Sequence, residues 1–321
     1  MKKAIVFECS ECGTQYAKWQ GRCLECGLWN TLFEVSINNN TNSSNNIFKD
    51  LVTPIKLKDI KSYKYSRVKT GVMEFDRVLG GGFVSGQVVL LAGEPGIGKS
   101  TLLLQIAKTY KNSIYYICGE ESPSQVKQRC DRLGLVDVDL NFIENTDIET
   151  INKYISNLKD CLLIVDSINS CFSSKYKSYP GSMSNIRECS QLITATAKRL
   201  NLNLIIVGQV NKEGGVAGPK SLEHTVDTVL NLEGDNNYSF RVLRCIKNRF
   251  GSINETGIFL MEDSGMIEVQ NPSKYLLMGK MDNTSGSAVC ITLEGTRCLA
   301  VEIQALCIKS SFGFPKRVTS G

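Results

Sequence analysis

The clearest pattern of apolar and polar positions lies in residues 88–106, which read VVLLAGEPGIGKSTLLLQI. A short apolar run leads into a glycine-rich turn and then into apolar residues at helical spacing, so this stretch predicts a strand, a loop and a helix. Similar runs predict further strands at residues 113–118, 141–145, 162–166, 202–210 and within 225–260. Helical patterns cover residues 123–133, 147–158 and 186–200. The alternation predicts an α/β fold with a mostly parallel central sheet.

The glycine-rich turn carries the strongest chemical signal. It fits the pattern G-x-x-x-x-G-K-[ST], in which backbone N–H groups wrap around phosphate oxygens and the following helix directs its positive end at the same anion. We expect Lys99 to reach the β- and γ-phosphates of a nucleoside triphosphate and the Ser100 hydroxyl to ligate Mg²⁺. The residues expected to bind the nucleotide are Gly93, Glu94, Pro95, Gly96, Ile97, Gly98, Lys99, Ser100 and Thr101.

Polar residues at the ends of later strands are candidates for catalysis and metal binding. Glu120 is placed to orient or deprotonate the water that attacks the γ-phosphate. Glu121 is its nearest rival, and the simpler alternative is that both residues only begin the next helix. Asp166 ends a buried strand and is expected to hold Mg²⁺ together with Ser100. Gln209 ends a further strand, where its amide could sense the γ-phosphate.

Two C-x-x-C pairs near the start of the chain predict a structural zinc site. Ten residues separate the pairs, and four thiolates match the tetrahedral coordination of Zn²⁺. Two disulfides or a redox pair are the alternatives, but a redox pair would be expected in a βαβ context. The aromatic residues Tyr16, Trp19 and Trp29 could pack on this ribbon or stack on bases, and packing is favoured. The predicted zinc ligands are Cys9, Cys12, Cys23 and Cys26.

Composition says more about domain size and cellular compartment than about the reaction that the protein catalyses. The 321 residues suffice for one large domain with smaller appendages, and the net charge of +5 permits a nucleic-acid surface without requiring one. No apolar run approaches the roughly 18 residues of a membrane span. Thirteen cysteines without an export signal favour a cytoplasmic protein with mostly reduced thiols, and a single histidine leaves little room for histidine-based catalysis.

Several cations are candidates for contacts with phosphate groups. Lysines in two polar segments could contact a nucleic-acid backbone, although ordinary solvated loops would have the same composition. These lysines are Lys175, Lys177, Lys212 and Lys220. Lys247 and Arg249 lie two residues apart on a predicted strand, so their side chains share one face. An arginine there could reach a neighbouring subunit's γ-phosphate, but a solvated basic strand end is the simpler interpretation.

Taken together, these motifs resemble the bacterial RadA (Sms) DNA-repair ATPases, members of the RecA superfamily. The resemblance covers nearly the whole chain, and its most discriminating block is KNRFG at residues 247–251. It is carried by the four-cysteine ribbon and by GEPGIGKSTLLLQ, CGEESPSQV, LLIVDSI, GQVNKEGGVAGPKSLEHTVDTVLNLEG and KNRFGSINETGIF.

The resemblance implies a RecA-like, ATP-dependent motor, similar to hexameric replicative helicases, that drives branch migration on single-stranded and branched DNA. It implies a homo-oligomeric ring, with recombinase or replication proteins as candidate partners and no membrane partner. It also implies a finger-like role for Arg249 beside Lys247, and a DNA-facing loop that carries Lys212 and Lys220. The rivals are an ATP-switched signalling ATPase or autokinase without DNA, and an inactive interaction protein.

The cysteine pairs, a polar low-complexity tract and the resemblance together give the expected domain limits. These are a zinc ribbon at 1–35, a flexible Asn/Ser-rich linker at 36–50, a RecA-like ATPase domain at 51–272 and an incomplete Lon-protease-like domain at 273–321. In the family the last domain is a scaffold, so no protease activity is expected. Because the chain stops within it, apolar residues such as those at 301–306 are expected to be uncovered.

Overall fold

The computed structural model describes residues 4–37, 56–59, 66–135, 138–175, 179–210, 216–217, 220–234, 240–278, 285–309, 314 and 316–319. The chain divides into two compact units, Met1–Glu268 and Val269–Gly321. Every helix in the described ranges is too short or too polar to cross a lipid bilayer. The predicted linker lies outside the described residues from position 38 onward.

The elements follow one another in the order that the sequence pattern predicts. The strands are β1 (Ala4–Cys9), β2 (Gln15–Tyr16), β3 (Leu32–Ile37), β4 (Arg67–Val68), β5 (Phe83–Val84), β6 (Val88–Gly93), β7 (Ile114–Cys118), β8 (Leu140–Ile143), β9 (Leu162–Asp166), β10 (Asn203–Val207), β11 (Gln209–Val210), β12 (Val216–Ala217), β13 (Thr228–Gly234), β14 (Phe240–Asn248), β15 (Thr256–Glu262), β16 (Gly265–Glu268), β17 (Ser287–Glu294) and β18 (Arg297–Gln304). The α-helices are α1 (Met73–Leu79), α2 (Lys99–Thr109), α3 (Pro123–Arg132), α4 (Ile148–Ile155), α5 (Met183–Leu200), α6 (Lys220–Thr225) and α7 (Pro272–Leu276).

A nine-stranded sheet organises the first unit. Its strand order is β16-β15-β14-β13-β6-β10-β9-β7-β8, and the six strands from β13 to β8 are parallel. Strands β6 and β10 are buried along their whole length, which explains why they read as continuous apolar runs rather than as alternating ones. The predicted RecA-like α/β fold with a mostly parallel sheet is confirmed.

Helices cover both faces of this sheet and bury two apolar layers. On one face, α1, α2 and α3 pack through residues such as Phe75 and Leu103, and on the other, α4 and α5 pack through residues such as Ile151 and Ile193. Because β6, β7, β9 and β10 run in the same direction, their last residues meet at one edge of the sheet, here called the carboxyl edge. The opposite edge, where β6 begins, is called the amino edge.

Side-chain caps decide where the helices begin. Ser122 forms a capping box with Gln125, and Pro123 occupies the first helical position, as the sequence predicts. Asp147 caps α4 rather than belonging to it. Helix α5 starts at Met183, earlier than the apolar pattern indicated, because the Ser182 hydroxyl accepts a hydrogen bond from the backbone N–H of Asn185.

The N-terminal ribbon is a small antiparallel sheet of order β2-β1-β3 that contacts the start of α5. The backbone N–H of Met183 donates to the Ser10 carbonyl oxygen at 3.3 Å, and the Ser184 hydroxyl donates to the Glu8 carboxylate. The rings of Phe33 and Tyr179 stack with their centroids 5.2 Å apart. The ribbon therefore packs on the carboxyl-edge end of α5.

The second unit contains α7 and the β17–β18 hairpin among its described residues. The backbone N–H of Ala300 donates to the Ser273 hydroxyl at 2.9 Å, which joins the hairpin to the helix. Ile291 and Leu293 of β17 are 70% and 68% exposed, and Leu306 is 90% exposed. Its assignment to a Lon-protease-like domain stays a prediction, as do the predicted domain limits.

Candidate functional sites

The glycine-rich loop joins β6 to α2 at the carboxyl edge. Gly96 and Gly98 have φ angles of 77° and 114°, which favour glycine, and Gly98 is the N-cap of α2. A Cβ atom on Gly98 would lie 2.3 Å from the Met266 Cε atom, so a larger residue would displace the methionine side chain. The loop thus combines a tight backbone with a helix start, the arrangement that binds phosphate groups.

Lys99 is buried within this loop and held by two carbonyl oxygens. Its ammonium group donates to the oxygens of Gly93 and Glu94, both at 2.8 Å. Burial lowers the pKa of Lys99, whereas the carboxylates of Asp166 and Glu120 act in the opposite direction. The ammonium group of Lys99 therefore lies near the carboxylates of Asp166 and Glu120, which the sequence analysis proposed for metal binding and catalysis.

Asp166 is the last residue of β9 and is fixed from the neighbouring strand. The hydroxyl of Tyr116 on β7 donates to its carboxylate, and the register places Cys118 beside Asp166. Burial and then the nearby Asp166 charge raise the pKa of Tyr116 well above its usual value. Tyr116 consequently remains a neutral hydrogen-bond donor that orients the predicted metal ligand.

The two rival glutamates have different partners. Glu120 accepts a hydrogen bond from the Ser167 hydroxyl, next to Asp166. Glu121 forms an ion pair with Arg129, whose Nη2 atom lies 2.6 Å from the Glu121 Oε1 atom. Both precede α3 and its cap, so neither belongs to the helix. Glu120 lies beside the residue next to Asp166, whereas Glu121 is paired with Arg129, and this favours Glu120 as the catalytic carboxylate. The role of Glu120 stays a prediction.

These side chains border a cavity of about 340 Å³ at the carboxyl edge. Its wall includes two arginines of α3, Arg129 and Arg132, which the sequence analysis did not select. Their i, i+3 spacing places them on the same face of the helix. The lining residues are Pro95, Gly96, Gly98, Lys99, Ser100, Thr101, Glu120, Glu121, Arg129, Arg132, Asp166, Ser167 and Val207.

The structure describes three of the five remaining candidates at the carboxyl edge. Gln209 does not end a strand as the sequence indicated: β10 ends at Val207, and Gln209 begins β11 after Gly208 and pairs with Ala217 in a short hairpin. Lys220 is the first residue of α6, and Lys175 is exposed. Lys177 and Lys212 lie outside the described residues.

Lys247 and Arg249 lie at the amino edge, away from the cavity. β14 ends at Asn248, and Lys247 donates to the carbonyl oxygens of Glu223 and Val226. Burial, and next the charge of Arg249, lower the pKa of Lys247. The Arg249 Nη1 atom lies 3.2 Å from the Asp227 Oδ1 atom.

The strand geometry sets the separation of Arg249 from the glycine-rich loop. The Asp227 Oδ2 atom accepts a hydrogen bond from the backbone N–H of Val88, the first residue of β6. The glycine-rich loop begins at the other end of this strand, at Gly93. At about 3.3 Å per residue, the length of β6 separates Arg249 from its own nucleotide loop.

The four ribbon thiols converge as a metal site requires. Their sulfur atoms all lie within 4.8 Å of one another, and two pairs, Cys9–Cys26 and Cys12–Cys23, are 3.7 and 3.4 Å apart. A tetrahedral ion with metal–sulfur distances of about 2.3 Å would place sulfurs at about 3.8 Å. The cysteines are free thiols rather than the disulfides that the sequence left open.

Aromatic residues of the ribbon differ in their surroundings. The Tyr16 hydroxyl lies 3.3 Å from the Cys23 sulfur, and this contact lowers the pKa of Cys23 to about 6. Trp19 and Trp29 are 60% and 70% exposed. A Cβ atom on Gly21 would lie 3.5 Å from the Trp29 ring and 4.0 Å from the Trp19 ring, so both indoles lie beside the ribbon backbone. Packing on the ribbon therefore stays the interpretation for the two tryptophans.

Comparisons with known proteins agree with this architecture. Residues 68–148 match the ATPase family model described as KaiC, and residues 7–34 match a model described as a rubredoxin metal binding domain. The fold resembles the solved structure of a DnaB-like replicative helicase, with a TM-score of 0.57 at 15% identity over 65% of this chain and 63% of that chain. It also resembles a second solved ATPase domain, with a TM-score of 0.56 at 15% identity over 64% and 92% of the two chains.

Relatives at higher identity fix the family. The DNA repair protein RadA of Bacillus subtilis is 44% identical over 98% of this chain and 70% of its own length. The DNA repair protein RadA of Listeria monocytogenes is 43% identical over 100% of this chain and 71% of its own length. The described residues of this chain contain the nine-stranded sheet and the four-cysteine ribbon. The chain therefore belongs to the RadA family of DNA repair proteins.

Proposed function

We propose that this chain is a DNA-dependent ATPase of DNA repair and homologous recombination that works as a helicase-like motor on recombination intermediates, promoting their branch migration and processing. The carrying observation is the convergence of Lys99, Ser100, Glu120 and Asp166 around one cavity at the carboxyl edge. A phosphate-binding loop, a metal ligand pair and a carboxylate base are the parts that hydrolysis of a nucleoside triphosphate requires.

Each of these residues has a distinct role in the proposed hydrolysis. Lys99 contacts the β- and γ-phosphates of ATP, and the loop from Gly93 to Thr101 binds them through its backbone. Ser100 and Asp166 would hold Mg²⁺, which neutralises developing phosphate charge when bound. Glu120 accepts the proton of the attacking water, and Gln209 senses the γ-phosphate from the start of β11.

Arg249 acts on the nucleotide of a neighbouring subunit, with Lys247 beside it. Its position at the amino edge supports this assignment, since a group that cannot reach its own site is suited to completing another. Such arginines stabilise transition-state charge by a factor on the order of 10³–10⁵. The proposal requires head-to-tail subunits, which close into a ring, and six is the expected number.

DNA binds along the loops of the carboxyl edge. Relatives named DNA repair proteins support DNA as the partner. Contacts to phosphate groups come from Lys175, Lys177, Lys212 and Lys220. The ribbon thiols hold Zn²⁺ as a closed structural site, because four sulfurs at tetrahedral spacing leave no open position for a substrate.

The decisive experiment measures phosphate release from ATP by the 321-residue chain with and without single-stranded DNA. We expect DNA to stimulate hydrolysis, and we expect Lys99→Ala to reduce it to background while DNA binding is largely retained. Lys108→Ala, a change of an exposed lysine on the same helix, is the matched control and should behave as the unaltered chain.

Other outcomes select among the alternatives. Hydrolysis that depends on Lys99 but ignores DNA would favour an ATP-switched signalling or interaction protein. Absence of Lys99-dependent hydrolysis would contradict the proposed enzyme and favour an inactive interaction protein.

A further inference from the structure

A buried carboxylate at the amino edge connects Arg249 to the rest of the fold. Asp227 is 4% exposed. Its Oδ1 atom lies 2.8 Å from the Lys198 Nζ atom and 3.2 Å from the Arg249 Nη1 atom, and its Oδ2 atom accepts from the backbone N–H of Val88 at 3.1 Å. One side chain thus joins α5, the end of β14 and the start of β6.

Backbone hydrogen bonds fix this carboxylate relative to the nucleotide strand. The backbone N–H of Asp227 donates to the Val88 carbonyl oxygen at 2.9 Å, and the backbone N–H of Arg249 donates to the Asp227 carbonyl oxygen at 3.1 Å. Val88 begins the strand that ends at the glycine-rich loop. These hydrogen bonds therefore fix Arg249, through Asp227, relative to the strand that leads into its own phosphate loop.

The charges around Asp227 do not cancel. Lys198, Lys247 and Arg249 surround it, and the Glu223 carboxylate also lies within electrostatic range of Lys247. Because Lys198 shares the Oδ1 atom, Asp227 can orient the guanidinium without neutralising the group as a whole. The Arg249 side chain is 52% exposed, and a guanidinium has five N–H donors, so donors remain for an anion outside the subunit.

We propose that Asp227 is a positioning residue that aims Arg249 at the neighbouring subunit's nucleotide, while Lys198 preserves the positive charge of the group. The inference rests on the proposed function, in which Arg249 acts in trans. Asp227 touches no substrate and acts only by orienting Arg249. Loss of this anchor lowers ATP turnover by about 10- to 100-fold, because small misplacements of a catalytic group cost up to about 10² in rate.

The test mixes two full-length variants with complementary defects. The Asp227→Asn variant keeps its phosphate loop but loses the group that orients Arg249. The Lys99→Ala variant keeps Arg249 in place but lacks the lysine of its phosphate loop. We expect the equimolar mixture to hydrolyse ATP with single-stranded DNA at up to about a quarter of the unaltered rate, since one interface in four joins the two intact halves. The rate should exceed the sum of the separate variants several-fold.

Two controls separate positioning from misfolding and from the underlying function. Asp227→Asn alone should bind a fluorescent ATP analogue as tightly as the unaltered chain. Arg249→Ala mixed with Lys99→Ala tests the trans role itself. If that pair complements and the Asp227→Asn pair does not, the positioning role is overturned. If neither pair complements, the trans role of Arg249 is wrong as well.

A second position tests the charge balance without disturbing the buried carboxylate. Lys198→Gln should lower the DNA-stimulated rate by about threefold, as Asp227 then pairs with Arg249 alone. Lys198→Arg keeps the charge and should restore the rate. Equal rates for Lys198→Gln and Lys198→Arg would contradict the role assigned to Lys198. If, in addition, the Asp227→Asn chain folds but does not complement Lys99→Ala, the whole proposal is overturned.

Discussion

The two edges of the central sheet collect charged residues in different ways. At the carboxyl edge, Lys99 and the carboxylates of Glu120 and Asp166 border a cavity with room for phosphate groups. At the amino edge, Lys198 and Arg249 converge on one buried carboxylate, that of Asp227. The carboxyl edge has the phosphate loop but not Arg249, the arginine of KNRFG. The amino edge has Arg249 but no phosphate loop. Under the proposed function, each edge is half of a composite site.

Helix α5 runs between the two edges. It follows β9 and begins beside the ribbon, at Met183, and its last turn supplies Lys198 to Asp227. At about 1.5 Å per residue, its 18 residues span about 27 Å. The ribbon therefore belongs to the carboxyl edge, and changes in it are expected to leave the amino edge intact.

Metal removal is expected to have the largest effect, and to be confined to the carboxyl edge. Cys9→Ala should release the zinc and unfold the ribbon, since structural zinc contributes on the order of 10 kcal/mol to small ribbons. Metal analysis per chain is the measurement, with the exposed Cys298→Ala of the second unit as the control. Unchanged zinc content in Cys9→Ala would contradict the four-cysteine site.

The two glutamates sharpen the account of the carboxyl edge. Glu120→Gln should lower phosphate release by about 10²- to 10³-fold, because the carboxylate beside Ser167 is lost as a base. Glu121→Gln should lower it by less than about tenfold, because it breaks only the pair with Arg129. Steady-state rates at saturating ATP compare the two variants, and the reverse ranking would reassign the base to Glu121.

A smaller effect is expected where a buried hydroxyl supports the metal ligand. Tyr116→Phe removes the hydrogen bond to Asp166 and should raise the Mg²⁺ concentration for half-maximal hydrolysis by about tenfold. Tyr115→Phe on the same strand is the matched control, because Tyr115 points to the other face of the sheet. An identical Mg²⁺ requirement for both variants would remove Tyr116 from the site.

Local signals allowed much of the carboxyl edge to be predicted. The loop from Gly93 to Ser100, the Ser122 cap and the position of Asp166 at a strand end each depend on a few adjacent residues. The pairing of Asp227 with Arg249 joins residues 22 positions apart, and the sequence pattern contains no signal for it. Arg129 and Arg132 were missed for the same reason, since only the packing of α3 turns them toward the cavity.

The central claim is that each nucleotide site is completed by the neighbouring subunit's amino edge, and subunit mixing tests it most directly. Lys99→Ala and Arg249→Ala are prepared separately, each inactive alone, and their phosphate release with single-stranded DNA is measured alone and after mixing. The account predicts that the mixture recovers up to about a quarter of the unaltered rate. A mixture no more active than the sum of its parts would contradict a composite site.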